Sequence, residues 1–147
     1  MATVLVIGTM DTKGPESAYL AERIRDAGCD ALLLDSGILG DPEGVSPDIT
    51  RQEVAVASGH TIEQLRNAGS RGKAVEEMLK GVRKITRELY DEGKIHGVIS
   101  LGGAEGGVLA AAAMKVLPIG IPKIIVSPIA SGRRPFGPFI GTKDIFV

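Results

Sequence analysis

Four glycines fall within six residues, at 102, 103, 106 and 107, in the stretch Val-Ile-Ser-Leu-Gly-Gly-Ala-Glu-Gly-Gly (98–107). An apolar, β-prone run enters this bend and an apolar helical pattern leaves it (Val108 to Leu117). Glycine lets the backbone turn sharply and lets another group approach closely. Between a strand and a helix it presents free N–H groups at the positive end of the helix dipole, a setting that suits phosphate. A tight strand-to-helix turn with nothing bound would use the same residues. The pattern is not a G-x-G-x-x-G fingerprint. Glu105 lies inside the bend, where a carboxylate suits a helix N-terminus, a metal or a general base but repels phosphate.

A second chemical stretch is Gly-Thr-Met-Asp-Thr-Lys-Gly (8–14). Lys13 offers a compact positive charge for a phosphate, although it precedes Gly14 and so makes no P-loop. Asp11 could hold Mg²⁺ or a hydroxyl, or close an Asx-turn on its own loop. Asp35 follows a second apolar run, about 20 residues beyond the first glycine loop, where open α/β folds place a ribose-binding acid. Arg133 and Arg134 could clamp an anion. His60 and His96 are isolated, so neither a Ser-His-Asp triad nor a metal-spaced histidine cluster can be argued.

These groups need a scaffold, and the hydrophobic pattern supplies one. Thr3 to Ile7, Asp30 to Leu34, His96 to Ser100 and Lys123 to Ser127 are short apolar runs without alternation, as expected of strands buried on both faces of a parallel sheet. Between the first two, a helix starts near Pro15 and runs to Ala27, with Gly28 at its C′ position. Thr50 with Glu53 and Thr61 with Gln64 form capping boxes ahead of two short helices, and Ile49 with Val54 can staple the first. Arg71 to Asp91 carries one apolar stripe, Val75, Met78, Leu79, Val82, Ile85 and Leu89, and Gly93 ends it. Pro118 ends the helix after the glycine bend. The alternation predicts an α/β fold in which four loops leave the carboxyl ends of strands: 8–14, 35–40, 102–107 and 128–132. Ligands of open parallel sheets bind at that rim.

The 147 residues fit one domain. Hydrophobic residues make up 44% and charged residues 24%, a globular composition rather than a disordered one. Aromatics are only 3%, with no Trp, which argues against base stacking on single strands. The net charge of −1 gives no basic face for nucleic acid or anionic lipid. One cysteine, Cys29, excludes an internal disulfide and a thiolate zinc cluster. No apolar run reaches membrane-spanning length. The start lacks a positive n-region and runs straight into a strand, so the expected compartment is the cytoplasm. Ile-Phe-Val (145–147) reads as the start of a further strand, which suggests one part of a larger protein.

Several motifs taken together and in order are specific: 8–14 as above, Asp-Ser-Gly (35–37), Pro-Asp-Ile-Thr-Arg (47–51), Leu-Gly-Gly-Ala-Glu-Gly-Gly (101–107), Leu-Pro-Ile-Gly-Ile-Pro-Lys (117–123) and Val-Ser-Pro-Ile-Ala-Ser-Gly (126–132). On these the chain resembles the amino-terminal domain of the family of the tomato mosaic virus resistance protein. The resemblance implies a Rossmann-like, mostly parallel sheet with helices on both faces, ATP as ligand together with Mg²⁺, and a part in dimerisation or a larger homo-oligomer. In that family a TIM-barrel-like carboxy-terminal domain normally follows. Two departures stand out. Ala104 and Gly107 replace the hydroxyl residues of the family's usual Gly-Gly-Ser-Gly-Gly-Thr turn, and Glu105 replaces a glycine. Pro128 also stands where a threonine is usual. Both changes remove side-chain hydroxyls; the backbone N–H groups of the glycine turn remain, while Pro128 has none.

The expected nucleotide site therefore comprises Gly8, Thr9, Asp11, Thr12 and Lys13 beside the phosphates, with Asp35 and Gly37 near the sugar or base. Gly102, Gly103, Glu105, Gly106 and Gly107 form the cradle, and Ser127, Ser131 and Gly132 line the rest. Two other readings stay open. One is a non-catalytic dimerisation or interaction module with architectural glycine loops. The other is half of a small-molecule hydrolase or lyase that needs the TIM-barrel-like domain.

Overall fold

The computed structural model describes residues 1–128, 133, 141 and 143–147, with the backbone alone of 104–108. Its element order is β1 (Thr3–Gly8), α1 (Met10–Asp26), β2 (Asp30–Asp35), α2 (Arg51–Ala57), α3 (Ile62–Arg66), α4 (Arg71–Asp91), β3 (Gly97–Leu101), α5 (Ala104–Lys115) and β4 (Lys123–Val126). All pairings are parallel, in the order β2-β1-β3-β4. The carboxyl ends align: Gly8 pairs with Asp35, Ile7 with Ser100, and Leu101 with Val126. From β1 the chain goes first to β2 on one side, then crosses back to β3 on the other. The sheet's switch point thus lies between β1 and β3, where the ends of such strands leave a crevice.

The sheet is covered on both faces. Leu5, Ile7, Leu34, Val98 and Ile125 pack with α2 to α5, while Val6, Ala31 and Leu33 pack under α1 with Met10 and Ala21. This double burial is why β1 reads as a continuous apolar run. The stripe on α4 packs as its spacing requires: Met78 and Val82 are buried, with Val75, Leu79, Ile85 and Leu89 against the same cluster. Both capping boxes form, with Thr50 accepting from Glu53 N–H and Thr61 from Gln64 N–H. Ile49 and Val54 join one cluster. Gly28 has φ +88°. Its N–H donates to the Arg25 carbonyl and that of Cys29 to the Ile24 carbonyl, the two bonds of a Schellman end. Phe146 bridges in parallel to Ile124, so the apolar run at 145–147 does extend the sheet beyond β4.

Two element starts differ from the sequence reading. Stretch 8–14 is not all loop, because helical geometry begins at Met10, where the Thr9 carbonyl accepts from the Thr12 and Lys13 N–H groups. It breaks at Lys13 (φ −127°, ψ 26°), two residues before Pro15, which has no N–H to continue the ladder. Likewise the glycine bend is shorter than its glycines suggest. Gly103 caps α5, and Glu105, Gly106 and Gly107 already lie within the helix. Among the described residues, no helix is long and apolar enough to cross a membrane.

Candidate functional site

A cleft of about 760 Å³ opens at the switch point. Thr9, Asp11 and Thr12 line it from the end of β1, Ser36, Gly37, Ile38 and Leu39 from the end of β2, and Gly103 from the end of β3. The glycine bend and the Asp11 loop therefore face one space. The remaining wall comes from the corner between α3 and α4, through Leu65, Arg66, Asn67, Gly69, Ser70, Arg71, Ala74 and Val75, with Leu109 of α5. Three of the lining residues, Thr9, Ser70 and Gly103, are the N-caps of α1, α4 and α5. Three positive dipole ends thus converge on the cleft.

The β2 loop is fixed to the cleft by charged groups. Asp35 Oδ1 accepts from Met10 N–H at 3.1 Å and Gly37 N–H at 2.8 Å, tying the ends of β1 and β2 together. Asp11 Oδ2 accepts from Gly40 N–H at 3.2 Å, across to the β2 loop rather than in an Asx-turn of its own. Arg66 Nε donates to the Ile38 carbonyl at 2.8 Å. Buried Arg51 donates to the Gly40 carbonyl and the Asp41 carboxylate. Position 37 is tight: a Cβ there would stand 3.0 Å from both Asp11 Oδ1 and Asp35 Oδ1, so either carboxylate would have to give way.

Asp35 is fully buried, and its Oδ2 has no partner among the described residues. Burial pushes its carboxyl above the ordinary 3.8, against the Gly37 and Met10 hydrogen bonds and the Arg51 charge, and the neighbouring Asp11 carboxylate adds to the rise. An acid with a raised folded value binds its proton more tightly in the native state. Its contribution is complete below the unfolded value and is lost as pH rises through the folded one. Relative to Asp35→Asn, wild type should therefore lose stability as pH climbs from about 4. Urea midpoints of both proteins measured across that range would show it; a constant difference would mean the carboxyl is not shifted.

Of the residues expected from sequence, Thr9, Asp11, Thr12, Gly37 and Gly103 line the cleft. Asp35 sits behind Gly37, holding backbone rather than lining the cleft. Gly8 closes β1, where a Cβ would meet Ser17 Oγ at 2.8 Å, so its smallness serves packing under α1. Gly102 is buried and donates to the Val126 carbonyl. Lys13 falls at the α1 break and Ser127 just past β4; neither is among the described lining residues. Ser131 and Gly132 lie outside the described residues, as does Arg134. The wall from 65 to 75 was missed. Its helix ends were readable, but nothing local shows that this corner folds back over the sheet rim. His96 is structural: its Nδ1 accepts from Thr3 N–H at 3.0 Å.

Residues 2–147 match the model of an uncharacterised protein family, UPF0261, over its N-terminal domain. The chain is 40% identical over 142 residues to a UPF0261 protein of Clostridium tetani, covering 97% of this chain and 34% of that protein. It is 39% identical over 127 residues to a UPF0261 protein of Brucella suis, covering 86% and 30%. With the ToMV resistance protein Tm-1 of Solanum lycopersicum it shares 33% identity over 157 residues, covering 97% and 20%. The chain thus spans about a third or less of the length of these relatives. The match over nearly every residue, with the tomato protein among the relatives, agrees with the motif resemblance: this chain belongs to the UPF0261 family, as its N-terminal domain.

Proposed function

We propose that this domain binds ATP with Mg²⁺ in the switch-point cleft. The observation that carries the reading is the convergence of the Thr9, Ser70 and Gly103 N-caps on one space that also has two arginines, Arg66 and Arg71, in its wall. Helix N-termini and guanidinium groups are the ordinary partners of phosphate. The apolar side chains of Ile38, Leu39, Leu65, Val75 and Leu109 give a purine a surface to cover. About 760 Å³ is within the usual range for a ligand of this size.

The donor set fits Mg²⁺ delivered with the nucleotide rather than held alone. Among the described residues no group of three or more His, Cys, Asp or Glu could hold a metal. Among the described lining residues Asp11 supplies a carboxylate, and Mg²⁺ in nucleotide sites commonly takes one or two carboxylates, with phosphate oxygens and waters filling its octahedron. Asp11 would hold the ion, and the ion would screen the phosphates from Asp11.

Calorimetric titration with Mg-ATP tests the reading. At 100 times the dissociation constant, nucleotide should stabilise the domain by about 2.7 kcal/mol, visible as a higher melting temperature. Gly103→Ala sharpens the test. Gly103 has φ −74°, and a Cβ there meets nothing within 4 Å among the described residues, so the free protein should lose only the preference for glycine over alanine at an N-cap, about 1 kcal/mol or less. A ligand lying close against the backbone would meet that methyl, and Mg-ATP should bind several-fold more weakly. The absence of both heat and a melting shift in wild type at millimolar Mg-ATP would defeat the reading.

A further inference from the structure

The nucleotide reading leaves open where the phosphates sit, and the glycine bend is the obvious place from sequence. The structure favours a different wall. Ser36 is 1% exposed, its Oγ has no partner among the described residues, and it lines the cleft. Ser17, Ser100 and Thr86 also have buried unpartnered hydroxyls, but none of these residues is among those lining the cleft. A buried hydroxyl without a partner is costly, and at the cleft wall a ligand can supply that partner.

Two residues further on, the Ile38 carbonyl holds Arg66 through its Nε. That bond uses one of the five guanidinium donors and fixes the head group beside the β2 loop. Next to Arg66 in the wall, Ser70 caps the 21-residue α4 and accepts from Lys73 N–H, no acidic residue sits in that helix's first turn, and Arg71 opens it. Two arginines, a helix N-terminus with no acidic residue in its own first turn, and a buried hydroxyl without a partner among the described residues thus belong to one stretch of wall. Asp11 also lines the cleft and would repel a bare anion, so binding there requires the divalent cation.

We propose that Ser36, Arg66, Ser70 and Arg71 form the phosphate subsite of the cleft, gripping a Mg-bound polyphosphate through the β2 loop and the α4 N-terminus. The assignment rests on the nucleotide reading only for the identity of the ligand. The test titrates the 147-residue chain and its Ser36→Ala, Arg66→Gln, Arg66→Lys and Arg71→Gln variants with Mg-ATP, adenosine and Mg-tripolyphosphate. Each free protein is also melted.

Arg66→Gln and Arg71→Gln should each weaken Mg-ATP and Mg-tripolyphosphate roughly tenfold or more, as expected for lost hydrogen bonds to a charged group. Adenosine should be unaffected, and Arg66→Lys should retain most of the affinity. Ser36→Ala should weaken both polyphosphates about two- to tenfold, while the free protein melts at the same temperature or higher. The melting result separates a ligand contact from a structural one. Unchanged Mg-ATP affinity in Ser36→Ala and both glutamine variants, or an equal loss for adenosine, would overturn the subsite. If wild type binds Mg-tripolyphosphate with this arginine dependence but not Mg-ATP, the nucleotide reading fails and the subsite stands; binding of neither overturns both.

Discussion

Alanine at position 81 is expected to destabilise the domain by about 3 kcal/mol, the upper end of ordinary overpacking, although alanine is the better helix former by about 1 kcal/mol. Gly81 lies in the middle of α4, where glycine normally counts against a helix. The reason for it is α2. A Cβ at position 81 would stand 2.1 Å from the Val54 carbonyl oxygen, 3.0 Å from its carbon and 3.1 Å from Val54 Cγ1. The nearest atoms belong to the backbone, so no rotamer change relieves the clash. α2 has little room to retreat: its capping box fixes one end, and Val54 and Ala55 are fully buried. The two helices must therefore separate, opening contacts between α4 and the cluster that includes Leu34, Val54 and Met78. Urea unfolding of wild type and Gly81→Ala measures the loss directly. A variant as stable as wild type would show that α2 yields at little cost.

Gly81 also marks where sequence reasoning stops. The stripe on α4, both capping boxes and the glycine end of α1 were legible because each depends on residues within a turn or two of one another. The parallel sheet was legible from runs of Val, Ile and Leu without alternation. The rim of the sheet followed from a general rule, and it put Thr9, Asp11, Thr12, Gly37 and Gly103 in one cleft. What local pattern cannot show is which distant backbone comes close. Gly81 reads as a weak point in a helix until α2 is laid against it. Arg66 and Arg71 carry no chemical signal in the sequence and enter the cleft wall only because the α3–α4 corner folds over the rim. In the opposite sense, Gly106 and Gly107 read as part of the bend but already lie in the first turn of α5. Lys13, attractive for its charge, falls at the break in α1 because Pro15 interrupts the ladder there.

Gly14→Ala should have the largest combined effect, on stability and on ligand affinity together. Gly14 is buried just past the α1 break, and a Cβ there would stand 1.7 Å from the Glu43 carbonyl oxygen, 2.8 Å from its carbon and 3.2 Å from Val45 Cγ1. Glu43 N–H donates to the Met10 carbonyl at 3.1 Å, so the methyl would push the 36–48 loop off α1 at one of its ties. The same loop carries Ser36, Gly37, Ile38 and Leu39 into the cleft, and its Gly40 N–H donates to Asp11. A shift at residue 43 therefore reaches the cleft through three intervening residues rather than through the core. Overpacking against fixed backbone should lower stability by about 2–4 kcal/mol. Mg-ATP affinity should fall about tenfold or more, since misplaced hydrogen-bonding groups to a charged ligand cost at least that. Denaturant unfolding and calorimetry on the same preparation separate the two effects. If stability falls while Mg-ATP affinity holds at wild-type level under folded conditions, the β2 loop is not the ligand's wall. The glycine bend and α5 would then have to bind the nucleotide without it.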